Sequence, residues 1–335
     1  MPRPPRIEQP DALYHVTSRG NGRAKVFFSD ADRRRFLGQL ADNVATYRVV
    51  LHAYVLMDNH FHLVVQTPEA NLSRFMQRLV TSYALYARYK HKRPGHQFEG
   101  RFRAKVIQSE AYLRRVSRYV HLNPVRTAPA TRLNPAARRK RLEQYPWSSY
   151  RDYIGLRPQA DDIRPPVSFA ALHDFGKDPA ATRRAYRRYV LSALDEGDKE
   201  TAEAMGASAY AIGSDDFIAA VRSQLMARRL GGPRDRDVAW PRPAIDADRI
   251  DATVAEAFGV PTARLREHGH HAGNAKKVAV ELARRLTGWT QRAVGQRYGG
   301  ITSQAVSQIA RTFREGNAGA QAQATLTRLE EDLSQ

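Results

Sequence analysis

The chain has 335 residues, of which 42% are hydrophobic and 26% are charged, a composition typical of globular proteins. It contains no cysteine, so disulfides, thiolate metal sites and a cysteine nucleophile are excluded. No run approaches roughly 18 uncharged apolar residues, and the N-terminal sequence lacks the apolar core of a signal peptide. We therefore expect a cytoplasmic protein that neither spans a membrane nor is secreted.

Positive charge is concentrated in the first half of the chain. The whole sequence has 54 Lys and Arg against 34 Asp and Glu, a net charge of +20. Residues 1–150 hold 27 basic against 10 acidic residues, whereas residues 151–335 hold 27 against 24. A solvated basic surface usually has acids interspersed, but residues 111–142 contain none. The pattern favours a nucleic-acid partner, which would associate the protein with the nucleoid.

The first 125 residues alternate between strand and helix patterns. Hydrophobic periodicity and capping residues predict strands over 12–18, 48–57, 60–66 and 98–107, and helices from 29 or 30 to 47, over 71–90, and from 109 or 110 to 122. Asp58-Asn59 is a turn pair, which predicts a hairpin between the second and third strands. The order predicts an α+β class protein with a ferredoxin-like, split βαβ domain and an antiparallel sheet.

Proline-rich segments suggest where this domain ends. They predict a first domain over 1–155 and a helical connector over 156–249, which contains a second linker at 231–249. An all-α region follows, in which helical patterns over 274–286, 290–298 and 302–314 predict a helix-turn-helix domain within 250–316. Residues 317–335 are interpreted as a tail.

A histidine pair stands on the third predicted strand. His60 and His62 flank Phe61, so the period of two places both imidazoles on one face of the strand. Two neutral imidazoles on a rigid backbone can share a divalent cation. The alternative interpretation is a hydrogen-bonded pair with no metal.

The last helix of the first domain offers a phenol and an amide. Tyr119 and Asn123 are four residues apart and share one face, with Asn123 just before a proline. If that face meets the histidine strand, both side chains lie beside the predicted cation. Alternatively, Tyr119 is a core aromatic and Asn123 caps the helix.

Four segments in order carry a resemblance to a known family. Residues 56–65, 97–105, 119–126 and 145–150 together resemble the REP-associated tyrosine transposases, relatives of the single-tyrosine insertion-sequence transposases of the HUH superfamily. The resemblance covers about 150 residues and implies a ferredoxin-like catalytic domain. It also implies metal-dependent cleavage and rejoining of single-stranded or hairpin DNA through a 5′-phosphotyrosine intermediate, by a monomer or a homodimer.

The same resemblance assigns roles to the residues above. His60 and His62 correspond to ligands of Mg²⁺ or Mn²⁺, and Tyr119 to the nucleophile. Asn123 matches a polar position that completes the metal site, where many members have Gln. The sequence suggests no general base. Basic residues around the predicted site are candidates for DNA phosphate contacts: Arg101, Arg103, Lys105, Arg114, Arg115, Arg118 and Arg126.

The C-terminal helices carry a second, shorter resemblance. Residues 286–307 are similar to the DNA-binding domain of the replication initiator DnaA and to Trp-repressor-like modules, which implies duplex binding by the third helix. Candidates for base or phosphate contacts there are Thr302, Ser303, Gln304, Ser307 and Arg311. The alternative is a three-helix bundle that contacts proteins.

Two other functions remain open for the whole chain. One is a non-catalytic DNA-binding regulator derived from a transposase, against which the intact His60, His62 and Tyr119 argue. The other is a nickase like those of replication initiators or relaxases. The motif order and the short catalytic unit favour the transposase.

Overall fold

The computed structural model describes residues 7–156, 164–176, 178–195, 198–231, 245–269 and 272–334. The protein is a mixed α+β protein with two compact units, which divide between Gly213 and Ser214. In the described ranges, no helix combines the length and the apolar character needed to cross a membrane.

The first unit contains five strands and eight α-helices among its described residues. The strands are β1 Ala12–Arg19, β2 Val50–Met57, β3 His60–Thr67, β4 Arg103–Ile107 and β5 Ala211–Ile212. The helices are α1 Asp30–Thr46, α2 Leu72–His91, α3 Glu110–His121, α4 Ala128–Thr131, α5 Pro135–Gln144, α6 Tyr150–Tyr153, α7 Pro179–Asp195 and α8 Lys199–Gly206. Short 3-10 helices occupy Asn21–Arg23, Asn123–Val125 and Ala170–Phe175.

One sheet organises this unit, with the strand order β2-β3-β1-β4-β5. The first four strands pair antiparallel, and β5 is parallel to β4. Alternation along β3 separates two faces: Phe61 packs against Phe36 of α1, whereas Val64 joins the core under α3. The α1 and α2 side of the sheet is therefore apolar, and the α3 side carries His60 and His62.

Most predicted elements of the first 125 residues are confirmed within one to three residues at their ends. The exception is the strand predicted over 98–107, which the structure shortens to β4. Gly100 has a φ of 84°, a left-handed conformation that interrupts an extended strand, and Phe98 forms only an isolated bridge with Gly20. Phe98 and Phe102 are both buried, so they contribute to the core.

The described residues within 168–212, which we call the covering segment, pack against α3 and β4 inside the first unit. Tyr186 and Val190 of α7 are buried in the same core as Val116 and Val120 of α3. The helical connector predicted over 156–249 is interrupted by β5, which pairs with β4. The predicted connector over 156–249 thus does not coincide with the division between units; its residues 157–163, 177, 196–197 and 232–244 lie outside the described ranges.

A buried polar network fixes α3 to its surroundings. His121 is fully buried, and its Nδ1 and Nε2 lie 2.8 Å from the Tyr186 hydroxyl and 2.8 Å from Ser149 Oγ. The Tyr186 hydroxyl is also 2.9 Å from Ser117 Oγ. Burial lowers the pKa of His121 to about 3, so its ring is neutral at pH 7 and forms both hydrogen bonds as an uncharged group.

The second unit is helical throughout its described residues. Its helices are α9 Asp215–Gly231, α10 Ala247–Phe258, α11 Thr262–Arg266, α12 Gly273–Leu286, α13 Gln291–Arg297, α14 Ser303–Arg314 and α15 Ala320–Ser334. The helices predicted over 274–286, 290–298 and 302–314 are confirmed as α12 to α14. Val306 and Phe313 of α14 are buried, and Ile309 packs against the same core.

The segment interpreted as a tail is helical over most of its length, because residues 320–334 form α15. Leu326, Leu329 and Leu333 recur at helical spacing and are buried in the core that contains α12. Burial of these leucines stabilises the helix. The polar Gln and Thr residues between them lie on its exposed side.

We expect Tyr186→Phe to lower the free energy of unfolding by about 1–3 kcal/mol, because it leaves Nδ1 of buried His121 without its hydrogen-bond partner and removes one of the two partners of Ser117 Oγ. Chemical denaturation measures this change. Tyr89→Phe is the matched control, since Tyr89 is 80% exposed and should tolerate the loss of its hydroxyl. Equal stabilities of the two variants would contradict the proposed role of the network.

Candidate active site

Two histidines of β3 meet at the α3 face of the sheet. The ring centroids of His60 and His62 are 5.0 Å apart, and the two planes are nearly perpendicular. The β2–β3 turn that precedes His60 is held by backbone hydrogen bonds from Val26 and Phe27 to the carbonyl of Asp58. The strand period and this fixed turn place both imidazoles on the same side.

The Nδ1 atom of each imidazole is engaged by a neighbour. His60 Nδ1 lies 2.7 Å from Asn59 Oδ1, a carbonyl oxygen that accepts the ring N–H. His62 Nδ1 lies 2.9 Å from Nε2 of His15 on β1, and these two rings are stacked. When His62 donates to His15, Nε2 of both β3 histidines retains the lone pair that a cation needs.

All three histidines are neutral at pH 7. Burial lowers the pKa of His15 to about 3, with a further contribution from Lys105. Burial also lowers the pKa of His60 to about 4, with Arg19 acting in the same direction and a hydrogen bond to Asn123 opposing it. The pKa of His62 is well below its ordinary value, chiefly because of burial. Neutral imidazole is the form that binds metals.

Tyr119 lies directly beside this group. Its ring contacts those of His15 and His62 edge-on, with 5.9 Å between centroids in each case. The guanidinium carbon of Arg126 lies 4.8 Å from the centroid of the Tyr119 ring. The half-buried phenol is thus surrounded by two neutral imidazoles and one cation.

Asn123 caps the end of α3 and also lies beside His60. Its side-chain nitrogen donates to the carbonyl oxygens of Tyr119 and Val120, at 2.9 and 3.2 Å, which caps the end of α3. The same side chain hydrogen bonds to His60. The structure therefore brings His60, His62, Tyr119 and Asn123 together. Among the described residues, no three His, Asp or Glu side chains form a group that could hold a metal.

Arginines on α3 are paired with acids of the covering segment. Arg114 contacts Asp174, Arg115 lies 2.7 Å from Glu200, and Arg118 lies 2.6 Å from Asp198. Arg126 also contacts Asp198, at 3.3 Å. Burial lowers the pKa of Arg126 while the charge of Asp198 opposes that shift.

The basic residues of the β4 region differ in exposure. Arg101 and Arg103 are exposed, before and at the start of β4. Lys105 is half-buried and donates to the carbonyl of Met205 at 2.5 Å. Burial, with help from the charge of Arg103, lowers the pKa of Lys105 to about 8. Arg103 and Lys105 are separated by one residue on β4, so both side chains lie on the α3 side of the sheet, as His15 does.

The candidates of the second unit lie on or before α14. Thr302 caps this helix, with its hydroxyl accepting from the N–H of Ala305. Ser307 donates to Gln291 of α13 at 2.8 Å, and Arg311 forms an exposed ion pair with Glu315. Ser303 is half-buried, whereas Gln304 is exposed.

A comparison with protein families finds a match within the first unit. Residues 8–123 match the family model described as Transposase IS200 like. This match covers about one third of the chain and contains His60, His62, Tyr119 and Asn123. This part of the chain is therefore similar to IS200-like transposases.

The searches of solved structures and of curated proteins do not extend this result. The search of solved structures finds one described as a REP associates tyrosine transposase bound to a REP hairpin, at 16% identity and over 50% of this chain and 93% of that chain. Its TM-score of 0.38 is too low to establish a shared fold. No curated protein matches.

Two residues of this site carry no obvious signal in the sequence. His15 stands alone on β1, and only the pairing register of β1 with β3, in which Thr17 opposes His62, brings it to His62. Asp198 lies about 80 residues beyond Tyr119, in a segment that sequence patterns assign to a connector. The lack of acids in residues 111–142 was a partial indication that neutralising carboxylates come from elsewhere.

We expect acid to destabilise the protein through these buried histidines. His15 has a folded-state pKa of about 3 against about 6.5 when unfolded, so the unfolded state binds more protons between these values. The free energy of unfolding should therefore be highest above about pH 6.5 and fall as the pH is lowered from there.

Denaturant unfolding measured across this pH range, for the wild type and for His15→Gln, tests the assignment. The variant should show a shallower pH dependence, by up to about 1 kcal/mol per pH unit. Parallel curves would contradict a buried, neutral His15.

Proposed function

We propose that the first unit cleaves and rejoins single-stranded DNA, with hairpin substrates, through a covalent bond to Tyr119. The contact between the Tyr119 ring and the His60–His62 pair carries this proposal. The family match to IS200-like transposases over residues 8–123 supports it independently. The whole protein would then act as a transposase or a related DNA strand transferase.

The fold proposed for this unit is ferredoxin-like. The order of elements through β4 is β-α-β-β-α-β, and the sheet order β2-β3-β1-β4 is antiparallel throughout. Both features are those of a split βαβ arrangement. The helix α3 follows the last of these strands and crosses the opposite face from α1 and α2, which supports its role as the carrier of a nucleophile.

Two imidazoles and an amide oxygen fit a divalent cation at this place. His60 and His62 are neutral, and their Nδ1 atoms are held, while Asn123 reaches His60 from the end of α3. We assign Mg²⁺ or Mn²⁺ as the cofactor, following the resemblance, and His60, His62 and Asn123 as its ligands. When bound, such a cation supplies a positive charge that polarises a non-bridging oxygen of the scissile phosphate.

The proposed chemical step exchanges one phosphoester for another. The Tyr119 oxygen attacks phosphorus, a bond forms between them, and the bond from phosphorus to the 3′-oxygen breaks. The phenol loses a proton and the departing 3′-oxygen gains one, so the products are a 5′-phosphotyrosine and a free 3′-hydroxyl. Attack by another 3′-hydroxyl reverses the step and joins DNA without ATP, because the phosphodiester is conserved.

DNA phosphates would reach the site over the basic β4 region. Arg101 and Arg103 are exposed there, and Lys105 lies deeper on the same side. Arg114, Arg115, Arg118 and Arg126 follow on or after α3, where ion pairs hold them in place. We propose that the exposed members bind phosphate directly, since exposed ion pairs exchange readily for another anion.

For the second unit we propose a helix-turn-helix that binds duplex DNA. The short turn between α13 and α14 and the exposed Gln304, Ser307 and Arg311 support this role. Amide and hydroxyl side chains on an exposed helix face can read base edges in the major groove. Sequence recognition by this unit and cleavage by the first are separable proposals.

Tyr119→Phe should abolish covalent attachment to DNA and leave DNA affinity nearly unchanged, because only the nucleophilic oxygen is lost. Labelled hairpin DNAs, including palindromes that flank the gene, are incubated with each protein in Mg²⁺ or Mn²⁺. Denaturing gels and mass spectrometry of tryptic peptides then detect the adduct.

Tyr112→Phe is the matched control, since Tyr112 lies on the same helix about two turns before Tyr119 and its ring stacks with Arg115. It should form the adduct at the wild-type rate. Adduct formation by Tyr119→Phe would disprove the nucleophile. Tight hairpin binding by the wild type without any adduct in either metal would favour the non-catalytic regulator.

Gln304→Ala should weaken discrimination between the preferred duplex and a mismatched one by about 1–3 kcal/mol, because an amide that reads a base edge is removed. The preferred duplex is first selected from a random library with the wild-type protein, and affinities are measured by fluorescence anisotropy. Gln321→Ala on α15 is the control and should not change discrimination. Unaltered discrimination in Gln304→Ala would argue against a base-reading α14.

A further inference from the structure

The covering segment contributes side chains to the immediate surroundings of Tyr119. It lies beyond residue 123, where the family match ends. Three of its acids contact arginines of α3, which are the pairs Arg114–Asp174, Arg115–Glu200 and Arg118–Asp198. These contacts could mask phosphate-binding arginines or could fix their positions, and the burial of each pair distinguishes the two roles.

Asp198 differs from the other two acids in its burial. Its side chain is 2% exposed, against 47% for Asp174 and 71% for Glu200. Its carboxylate contacts both Arg118 and Arg126, and it caps α8 by accepting from the N–H of Thr201. An exposed pair can open for a DNA phosphate, whereas a buried carboxylate between two arginines cannot do so without leaving a buried charge unpaired.

Arg118 holds the Asp198 carboxylate in place. Its guanidinium lies 2.6 Å from Asp198 and 3.1 Å from the Thr201 hydroxyl, and its carbon lies 4.1 Å from the centroid of the Tyr189 ring. Side chains of the covering segment therefore contact both the planar face and the N–H groups of the Arg118 guanidinium. This arrangement fixes the position of Asp198 relative to α3, from which Tyr119 also projects.

Arg126 links the anchored carboxylate to the nucleophile. One part of its guanidinium contacts Asp198 at 3.3 Å, and the group lies over the Tyr119 ring at 4.8 Å. A cation in this position stabilises negative charge on the phenolic oxygen and on the adjacent scissile phosphate. Such stabilisation depends on the placement of the charge, since catalytic groups lose effect when displaced by about 1 Å.

We propose that Asp198 is a positioning residue for strand cleavage, which holds the Arg126 guanidinium over Tyr119. The inference rests on the proposed function, because it assigns Asp198 a part in the reaction of Tyr119. It extends the active site to a segment that the family match does not include. The covering segment thus completes the site, and its acids do not simply hide a DNA-binding surface.

The test compares Asp198→Asn with Asp174→Asn. Both substitutions remove one carboxylate of the covering segment from an arginine of α3, so they change net charge equally. The rate of adduct formation is measured in single turnovers over a range of hairpin DNA concentrations with Mn²⁺, which separates the maximal rate from the DNA concentration that gives half of it.

Asp198→Asn should lower the maximal rate by about tenfold or more, with half-saturation at an unchanged or lower DNA concentration. Asp174→Asn should retain the wild-type maximal rate. A faster reaction or an equal rate in Asp198→Asn would overturn the positioning role; the faster reaction would show that the carboxylate masks the arginines.

A second variant keeps the test valid if Asp198→Asn does not fold. Arg126→Gln leaves the buried Asp198–Arg118 pair intact and should lower the maximal rate to a similar extent. Where both single variants fold, adding Asp198→Asn to Arg126→Gln should cause little further loss, because Asp198 acts through Arg126. Additive losses, or a full rate in Arg126→Gln, would contradict the inference.

The outcome for the wild type separates this inference from the proposed function. If the wild type forms no adduct that depends on Tyr119, the proposed function fails first. If it forms the adduct and the Asp198 variant does so at the same maximal rate, only the positioning role fails.

Discussion

The position of α3 against the sheet is the constraint on which the site depends. His15, His60 and His62 are fixed by strands, but Tyr119 reaches them only because α3 packs against β2 and β3. Apolar packing of Val116 and Val120 brings the helix onto the sheet, yet apolar contacts are not directional. The hydrogen bonds of His121 are directional, and they select one position of the helix.

Positive charge in the first unit is less evenly distributed than its composition suggests. The excess of Lys and Arg over residues 1–150 implies a broadly positive surface. Around α3, however, carboxylates from the covering segment neutralise much of that charge locally. Arg101 and Arg103, by contrast, are exposed near the start of β4.

Local sequence patterns predicted most of the helices and strands, and they predicted two pairs of candidate site residues. The period of two placed His60 and His62 together, and a spacing of four placed Tyr119 with Asn123. Long-range pairing was not accessible, because the register that brings His15 to His62 and the return of Asp198 to α3 depend on tertiary packing. The shortened β4 and the helical residues 320–334 were missed for a related reason: a left-handed glycine overrode a strand pattern, and buried leucines overrode a polar composition.

The pairing of β5 with β4 has a consequence for dissecting the protein. Val106 and Gln108 donate their N–H groups to the carbonyls of Tyr210 and Ile212, so β5 covers an edge of the sheet. A fragment cut near residue 155 would expose that edge, strip the polar partners from α3 and invite strand-to-strand aggregation. A cut between Gly213 and Ser214 preserves both, so soluble fragments for crystallography or calorimetry should end there.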